Sequence, residues 1–413
     1  MVPNVENWEL KLFKNILKLD RGSSPRPIIN FMTDADDGVN WIKIGDTKKG
    51  ELYINSTKER ITHEGAKKSR KVSKGEVIVS NSMSYGQPYI LNIDGYIHDG
   101  WFVIRNYEQH FEKNFLLQIL GSELIQRQYK RLAAGGVVSN ISSDLVYAVK
   151  VGLPPLREQR KIAKILSTWD KAIATTEKLI DTSKQQKKVL MQKLLTGKKR
   201  LVNPDTGEAF EGKWERYSMS ELVFIDRKSL GKKTPDDFEF QYISLSDVDV
   251  GSISKELEVH KFVSAPSRAR RVIQVGDILL STVRPNLKGF AKVTDKYADK
   301  IASTGFAVLT PKSQVSSDYI YQYVFSVHIT GQIDSLVVGS NYPAINSSDV
   351  SGLKVYCPTF EEQQRIASVL TVADREIEVL EVKLAHFKQE KKALMQQLLT
   401  GKRRVKVDDM EVA

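Results

Sequence analysis

The chain has 413 residues, too long for one typical domain and enough for two or three. Its 62 Lys and Arg exceed 50 acidic residues, a formal charge of +12 that suits a polyanionic partner such as nucleic acid. The single cysteine, Cys357, excludes an internal disulfide framework and a cysteine-rich zinc site; the lack of a signal-peptide pattern and of any apolar run of membrane-spanning length sets the expectation of a cytoplasmic protein with no membrane partner.

From about residue 8 to 150, short β-type runs alternate with turn residues. EVIVS at Glu76 and YIHDGWFVI at Tyr96 read as strands, and Asn114 to about Arg131 reads as a helix. His98-Asp99, inside an apolar strand, reads as structural. Lys67, Lys68, Arg70, Lys71 and Lys74 precede the EVIVS strand. The loop after it, SNSMSYGQPY, offers Asn81, Tyr85 and Gln87 as groups that hydrogen-bond bases or phosphates. Pro154-Pro155 close this region, and no Gly or Pro follows from Leu156 until Gly197. A long helix is predicted there, ended by a glycine C-cap and basic residues that complement its dipole. Its seam, Ile162, Leu166, Trp169, Ile173, Thr176, Ile180, Ser183, Lys187, Leu190 and Leu194, alternates steps of four and three, the heptad signature of lengthwise packing.

A turn-rich connector comes next. Asp205, Glu211 and Lys213 mimic the acidic-acidic-lysine pattern of Mg²⁺-dependent nucleases, but those groups need a rigid strand pair, so the segment reads as a linker. Residues from about 214 to 355 form a second α/β region with DILLS at Asp277, FAVLT at Phe306 and a helix from Asp318 to about Ile333. Arg268, Arg270 and Arg271 hold the place before DILLS, and STVRPNLKG after it offers Arg284, Asn286 and Lys288. A second predicted helix runs from Phe360 to Gly401, with the seam Ile366, Leu370, Ala373, Ile377, Leu380, Leu384, Phe387, Lys391, Leu394 and Leu398.

The two helices are copies of one sequence, related without a gap by a constant offset of 204 positions (from 156 to 360). Roughly half the aligned residues are identical, far above chance for such a length. Weaker matches extend through the preceding regions: Trp8-Glu9 with Trp214-Glu215, Asp20-Arg21 with Asp226-Arg227, WIKIGD at Trp41 with YISLSD at Tyr242, and SSDL at Ser142 with SSDV at Ser347. The chain is therefore two tandem units, each a diverged domain followed by a less diverged helix. A coiled coil between two chains would satisfy the seam, but the tether between copies favours antiparallel pairing within one chain. Recurrence of basic residues at one place in both copies favours a binding role over a merely solvated surface.

Catalytic motifs are missing. Gly-Lys at Gly197 and Gly401 lacks the rest of a phosphate-binding loop, Asn341-Tyr342-Pro343 is not an amino-methyltransferase motif, and the six histidines have no metal-ligand spacing.

The segments LPPLREQRKIA at Leu153 and CPTFEEQQRIA at Cys357, with the LLTGK endings at Leu194 and Leu398, resemble the conserved helical regions of type I restriction-modification specificity subunits. The second copy departs from the proline-proline entry, carrying Thr359 in place of the second proline. The resemblance implies a mixed α/β fold with target-recognition domains at 1–152 and 201–355. Antiparallel coiled-coil helical regions follow each, at 153–200 and 356–413, in a pseudo-two-fold arrangement. It implies a DNA-recognition subunit, non-catalytic by itself, within a complex that is both endonuclease and adenine-N6 methyltransferase. Each domain would read half of a bipartite duplex-DNA target. The helices would set the gap and dock two methyltransferase subunits, and two motor-nuclease subunits would join. S-adenosylmethionine, ATP and Mg²⁺ would belong to those partners, with no cofactor or metal in this chain. The alternatives are a coiled-coil scaffold or a DNA-binding protein outside restriction-modification.

Overall fold

The computed structural model of the protein describes residues 5–48, 50–81, 86–132, 141–337 and 343–406. The chain divides into two compact units, Met1–Lys178 with Glu381–Ala413, and Leu179–Leu380. Both divisions fall inside long helices, Leu156–Leu194 and Phe360–Leu398, each 39 residues and so about 58 Å long. Each unit thus contains one α/β domain, the start of one helix and the end of the other. This grouping cuts across the sequence segments 153–200 and 356–413.

All predicted seam positions are buried or half-buried. In the first unit Trp169 meets Phe387 edge-on with ring centroids 5.6 Å apart, Lys388 lies 2.7 Å from Glu177, and Lys391 pairs with Asp170. The numbers fall along one helix as they rise along the other, so the pairing is antiparallel. In the second unit Lys187 with Asp374 and Arg200 with Glu362 give the same sense. Each helix stops where its glycine, Gly197 or Gly401, takes a φ of +69°, open to glycine at little cost.

In the first unit, strands Lys18–Arg21, Trp101–Arg105, Val77–Ser80, Pro88–Leu91 and Tyr53–Ile54 lie in that order in one sheet. A smaller sheet orders Glu59–Ile61, Val39–Ile42, Gly95–Ile97 and Arg70–Val72. Side chains alternate across a strand, and here both faces are covered. Ile78, Trp101 and Val103 join Ile42, Val72 and Ile97 in one core. Val77, Val79, Phe102 and Ile104 turn to the other core, shared with Phe115, Ile119, Ile162, Leu166, Leu398 and Leu399. Burial on both faces is why EVIVS and WFVI are continuously apolar. The second unit repeats the plan: Ile278, Leu280, Ala307 and Leu309 face a core with Tyr319, Leu194, Ile366 and Leu370, while Leu279, Phe306 and Val308 face the other.

Two sequence expectations are corrected. The helix expected over Asn114–Arg131 is two, Lys113–Leu120 and Glu123–Leu132, and its counterpart is Ser317–Val324 and Val327–Leu336. The cause is a serine at each break. Ser122 Oγ accepts from the Ile125 N–H (3.5 Å) and donates to the Ile119 carbonyl (2.6 Å), and Ser326 Oγ accepts from the Ile329 N–H (3.3 Å). YIHDGWFVI is likewise two strands, Gly95–Ile97 and Trp101–Arg105, in different sheets. His98 sits at the crossing, its ring nitrogens facing the backbone N–H groups of Ile44 (3.2 Å) and Gly100 (2.7 Å), and burial pushes its pKa down.

Candidate nucleic-acid interface

The basic residues of the first domain lie at one edge of its smaller sheet. The helix His63–Lys67 starts where Thr62 Oγ1 accepts from the Gly65 N–H (3.2 Å), and the chain then enters the edge strand Arg70–Val72 against Gly95–Ile97. Val72 is buried, while Lys67, Lys68, Arg70, Lys71 and Lys74 are exposed. The Lys68 ammonium stands 4.4 Å over the Phe31 ring, and Arg70 Nε donates to the Arg21 carbonyl (3.2 Å). Among the described residues none of these cations is ion-paired with a carboxylate, so their charge is not compensated by an ion pair within the domain.

The counterpart strand, Ala269–Val272, pairs with Ile301–Ser303 through an irregularity between Ala269 and Arg271. Its arginines are not equivalent to those of the first domain. Arg268 is exposed. Arg270 stacks 4.6 Å from the Phe262 ring and donates to the Ala269 carbonyl (2.8 Å). Arg271 is ion-paired with Asp226 (2.6 Å) and bonded to Ser229 (3.2 Å), so its charge serves the domain itself. Asp20, the match of Asp226, is instead held by Arg105 (3.0 Å), which also pairs with Glu76 (2.9 Å). That substitution leaves Arg70 and Lys71 outside the domain's own ion pairs.

The loop residues separate in the same way. Asn81 is 3% exposed, and its amide donates to the Asp99 carbonyl (2.7 Å), so it is an internal brace rather than a group facing solvent. Tyr85 lies outside the described residues. Gln87, Arg284 and Asn286 are exposed and Lys288 is half-buried. In the connector, Arg200 binds the carbonyls of Glu211 and Gly212 (3.0 Å each), and the Asp205 N–H bonds Asn203 (2.9 Å). Among the described residues no cluster of three His, Cys, Asp or Glu could hold a metal ion.

Sequence reasoning missed the polar contacts that fasten each domain to the helices. Gln118 donates to Asp170 (2.6 Å) in the first unit and Gln322 to Asp374 (2.8 Å) in the second. Gln159 bonds the His110 and Pro154 carbonyls, and Gln363 the Pro358 carbonyl. Arg404 grips Glu158 as Arg200 grips Glu362. All of these pairs except Gln159 with His110 recur at the offset of 204, so identity of polar residues across the repeat was the available signal.

Replacing Lys67, Lys68, Arg70 and Lys71 together by Ala is expected to weaken binding to duplex DNA of every sequence. The slope of log affinity against log salt should flatten by up to roughly 3–4, the counterions released by four phosphate contacts. An unchanged slope in a filter-binding titration would remove this strand from the interface.

The sequence profile of the type I restriction modification DNA specificity domain matches residues 5–184 and 213–387. The type I restriction enzyme MjaVIII specificity subunit of Methanocaldococcus jannaschii is 28% identical over 294 residues, 67% of this chain and 67% of its own. The putative MjaX specificity subunit of the same organism is 26% identical over 434 aligned positions, 97% of this chain and 95% of its own. The crystal structure of a type I restriction-modification S subunit from M. genitalium is 14% identical and shares the fold across 96% of each chain, with a TM-score of 0.59.

Proposed function

The chain belongs to the type I restriction-modification DNA specificity family, and from that premise we propose that each of its domains reads one half of a split duplex-DNA target while the two long helices fix the unread gap and dock two methyltransferase subunits. Two motor-nuclease subunits complete the complex in the cytoplasm. S-adenosylmethionine, ATP and Mg²⁺ act in those partners. This chain supplies sequence preference and position, and no chemical step of its own.

The observation that carries the reading is repetition of one recognition plan. Each unit has a four-stranded sheet with a parallel central pair, Trp41 beside Tyr96 and Tyr242 beside Ile301, and an arginine-bearing edge strand. One duplicated reader on a tethered pair of helices suits a target of two short sequences with a fixed spacer.

The test is to assemble the chain with methyltransferase subunits and map the methylated adenines. The expected motif has two specified parts and an unspecified middle. Methyl transfer by the chain with S-adenosylmethionine alone would refute the division of labour. Inserting four residues after Thr196 adds about one helical turn, 5–6 Å, and one base-pair step is about 3.4 Å. Both half-sequences should persist with a gap longer by about one to two base pairs. An active mutant that methylates the original spacing would exclude the helices as the ruler.

A further inference from the structure

Beyond the strand Ile278–Ser281, residues 282–289 form a turn fixed to the body of the second domain. Thr282 Oγ1 donates to the Gly305 carbonyl (2.9 Å), and the Thr282 carbonyl accepts the Ile345 N–H (2.9 Å). Val283 bridges to Ala344, and the Arg284 N–H donates to the Pro343 carbonyl (2.7 Å). The tip is a single 3-10 turn, Pro285–Leu287, closed by the Leu287 N–H on the Arg284 carbonyl and the Lys288 N–H on the Pro285 carbonyl, both 2.9 Å. Pro285 is buried beneath it, and the turn packs on the helix Val327–Leu336.

Arg284 and Lys288, which flank the turn, take φ values of +49° and +55°. L side chains rarely adopt that region, and they persist there only where surrounding bonds hold them. So much fixation around a surface turn has a visible product: Asn286 and Leu287 are held out at its tip, with Leu287 63% exposed. The same turn carries Arg284, Asn286 and Lys288, residue types that bond base edges and phosphates.

We propose that Leu287 is a specificity-determining residue that packs on the C5-methyl group of a thymine in the major groove of the second half-site. The assignment rests on the reading of this domain as a DNA reader, and it names one of the groups that reads. Thymine alone among the bases presents a methyl group there, and an apolar side chain is its complement. A turn already fixed in shape loses little conformational freedom on contact, so even one methyl group discriminates.

The experiment uses the assembled methyltransferase complex and duplexes of its own target, with each thymine of the second half-site replaced in turn by deoxyuridine. That exchange removes one methyl group and leaves the hydrogen-bonding edge intact. For the native chain one replacement should weaken binding about fourfold, the worth of one buried methyl group. Leu287→Ala should bind the unmodified target less tightly by a similar factor and lose its sensitivity to that replacement, whereas Leu287→Met should keep the sensitivity. Deoxyuridine in the first half-site should act equally on all three. Equal penalties in the native and Leu287→Ala complexes overturn the assignment, as does a second half-site in which no thymine replacement matters. Failure of the underlying reading looks different: the second half of the target then has no sequence preference whatever occupies position 287.

Discussion

Exchanging residues 8–150 for the matching domain of a relative with a different target is expected to replace one half of the methylated sequence and leave the other half as it was. The described strands of the first domain pair only among themselves, and its three sheets are complete before the first long helix begins; the two-stranded one, Glu9–Leu12 with Lys150–Leu153, spans the graft boundary, so the graft has to keep its register. Its attachment to the helices combines an apolar core, in which Phe115 and Ile119 meet Ile162, Leu166, Leu398 and Leu399, with polar contacts such as Trp8 Nε1 to Glu158 (3.2 Å), Gln118 to Asp170, and Gln159 to the His110 and Pro154 carbonyls. A graft that keeps Trp8, Gln118 and the apolar side chains of that core therefore preserves the docking while changing the loops. Each mismatched base pair costs roughly 1–3 kcal/mol, nearly additively, so several altered positions in one half-site shift preference by several orders of magnitude. Sequencing of methylated adenines reads the outcome directly. A chimera that folds and methylates but changes both halves would disprove modularity.

The parts of this fold that were readable in the sequence are those governed by local periodicity. The helices Leu156–Leu194 and Phe360–Leu398 begin and end where proline, glycine and the heptad seam place them. The strands at Val77, Ile278 and Phe306 were readable because burial on both faces makes them continuously apolar. What stayed hidden depends on partners distant in sequence. Arg271 looked like one more cation in a basic run, and nothing nearby revealed Asp226, 45 positions earlier, as its partner. Asn81 looked like a base reader until the crossing of the chain at His98–Gly100 brought the Asp99 carbonyl to its amide. The serine caps at Ser122 and Ser326 were local signals that the apolar period of the flanking helices outweighed. The sequence thus showed which segments carry the candidate groups, an edge strand and a loop, while the division between outward and inward side chains required the fold.

Arg200→Ala is expected to be the most damaging single change away from the cores, destabilising the second unit by about 3–5 kcal/mol. Glu362 is 0% exposed and Arg200 24%, and the guanidinium grips both carboxylate oxygens, Nε to Oε1 at 2.7 Å and Nη2 to Oε2 at 2.8 Å. Removing the cation strands a charge in the interior, a larger penalty than the net worth of the pair. The equivalent change in the first unit, Arg404→Ala, should cost less. Arg404 is 40% exposed, so solvent screens more of the lost interaction, and Glu158 keeps a donor in Trp8 Nε1 (3.2 Å). The matching Trp214 Nε1 is buried with no hydrogen-bond partner, so Glu362 has no such substitute. Arg200→Met combined with Glu362→Leu should recover most of the loss, because apolar groups of similar volume leave no charge to compensate. Thermal unfolding of the three variants should rank Arg200→Ala below Arg404→Ala, with the double variant nearest the native protein. A double variant as unstable as Arg200→Ala would shift the cause to the bonds that Arg200 makes with the Glu211 and Gly212 carbonyls. An Arg404→Ala loss equal to that of Arg200→Ala would show that Trp8 gives Glu158 no support.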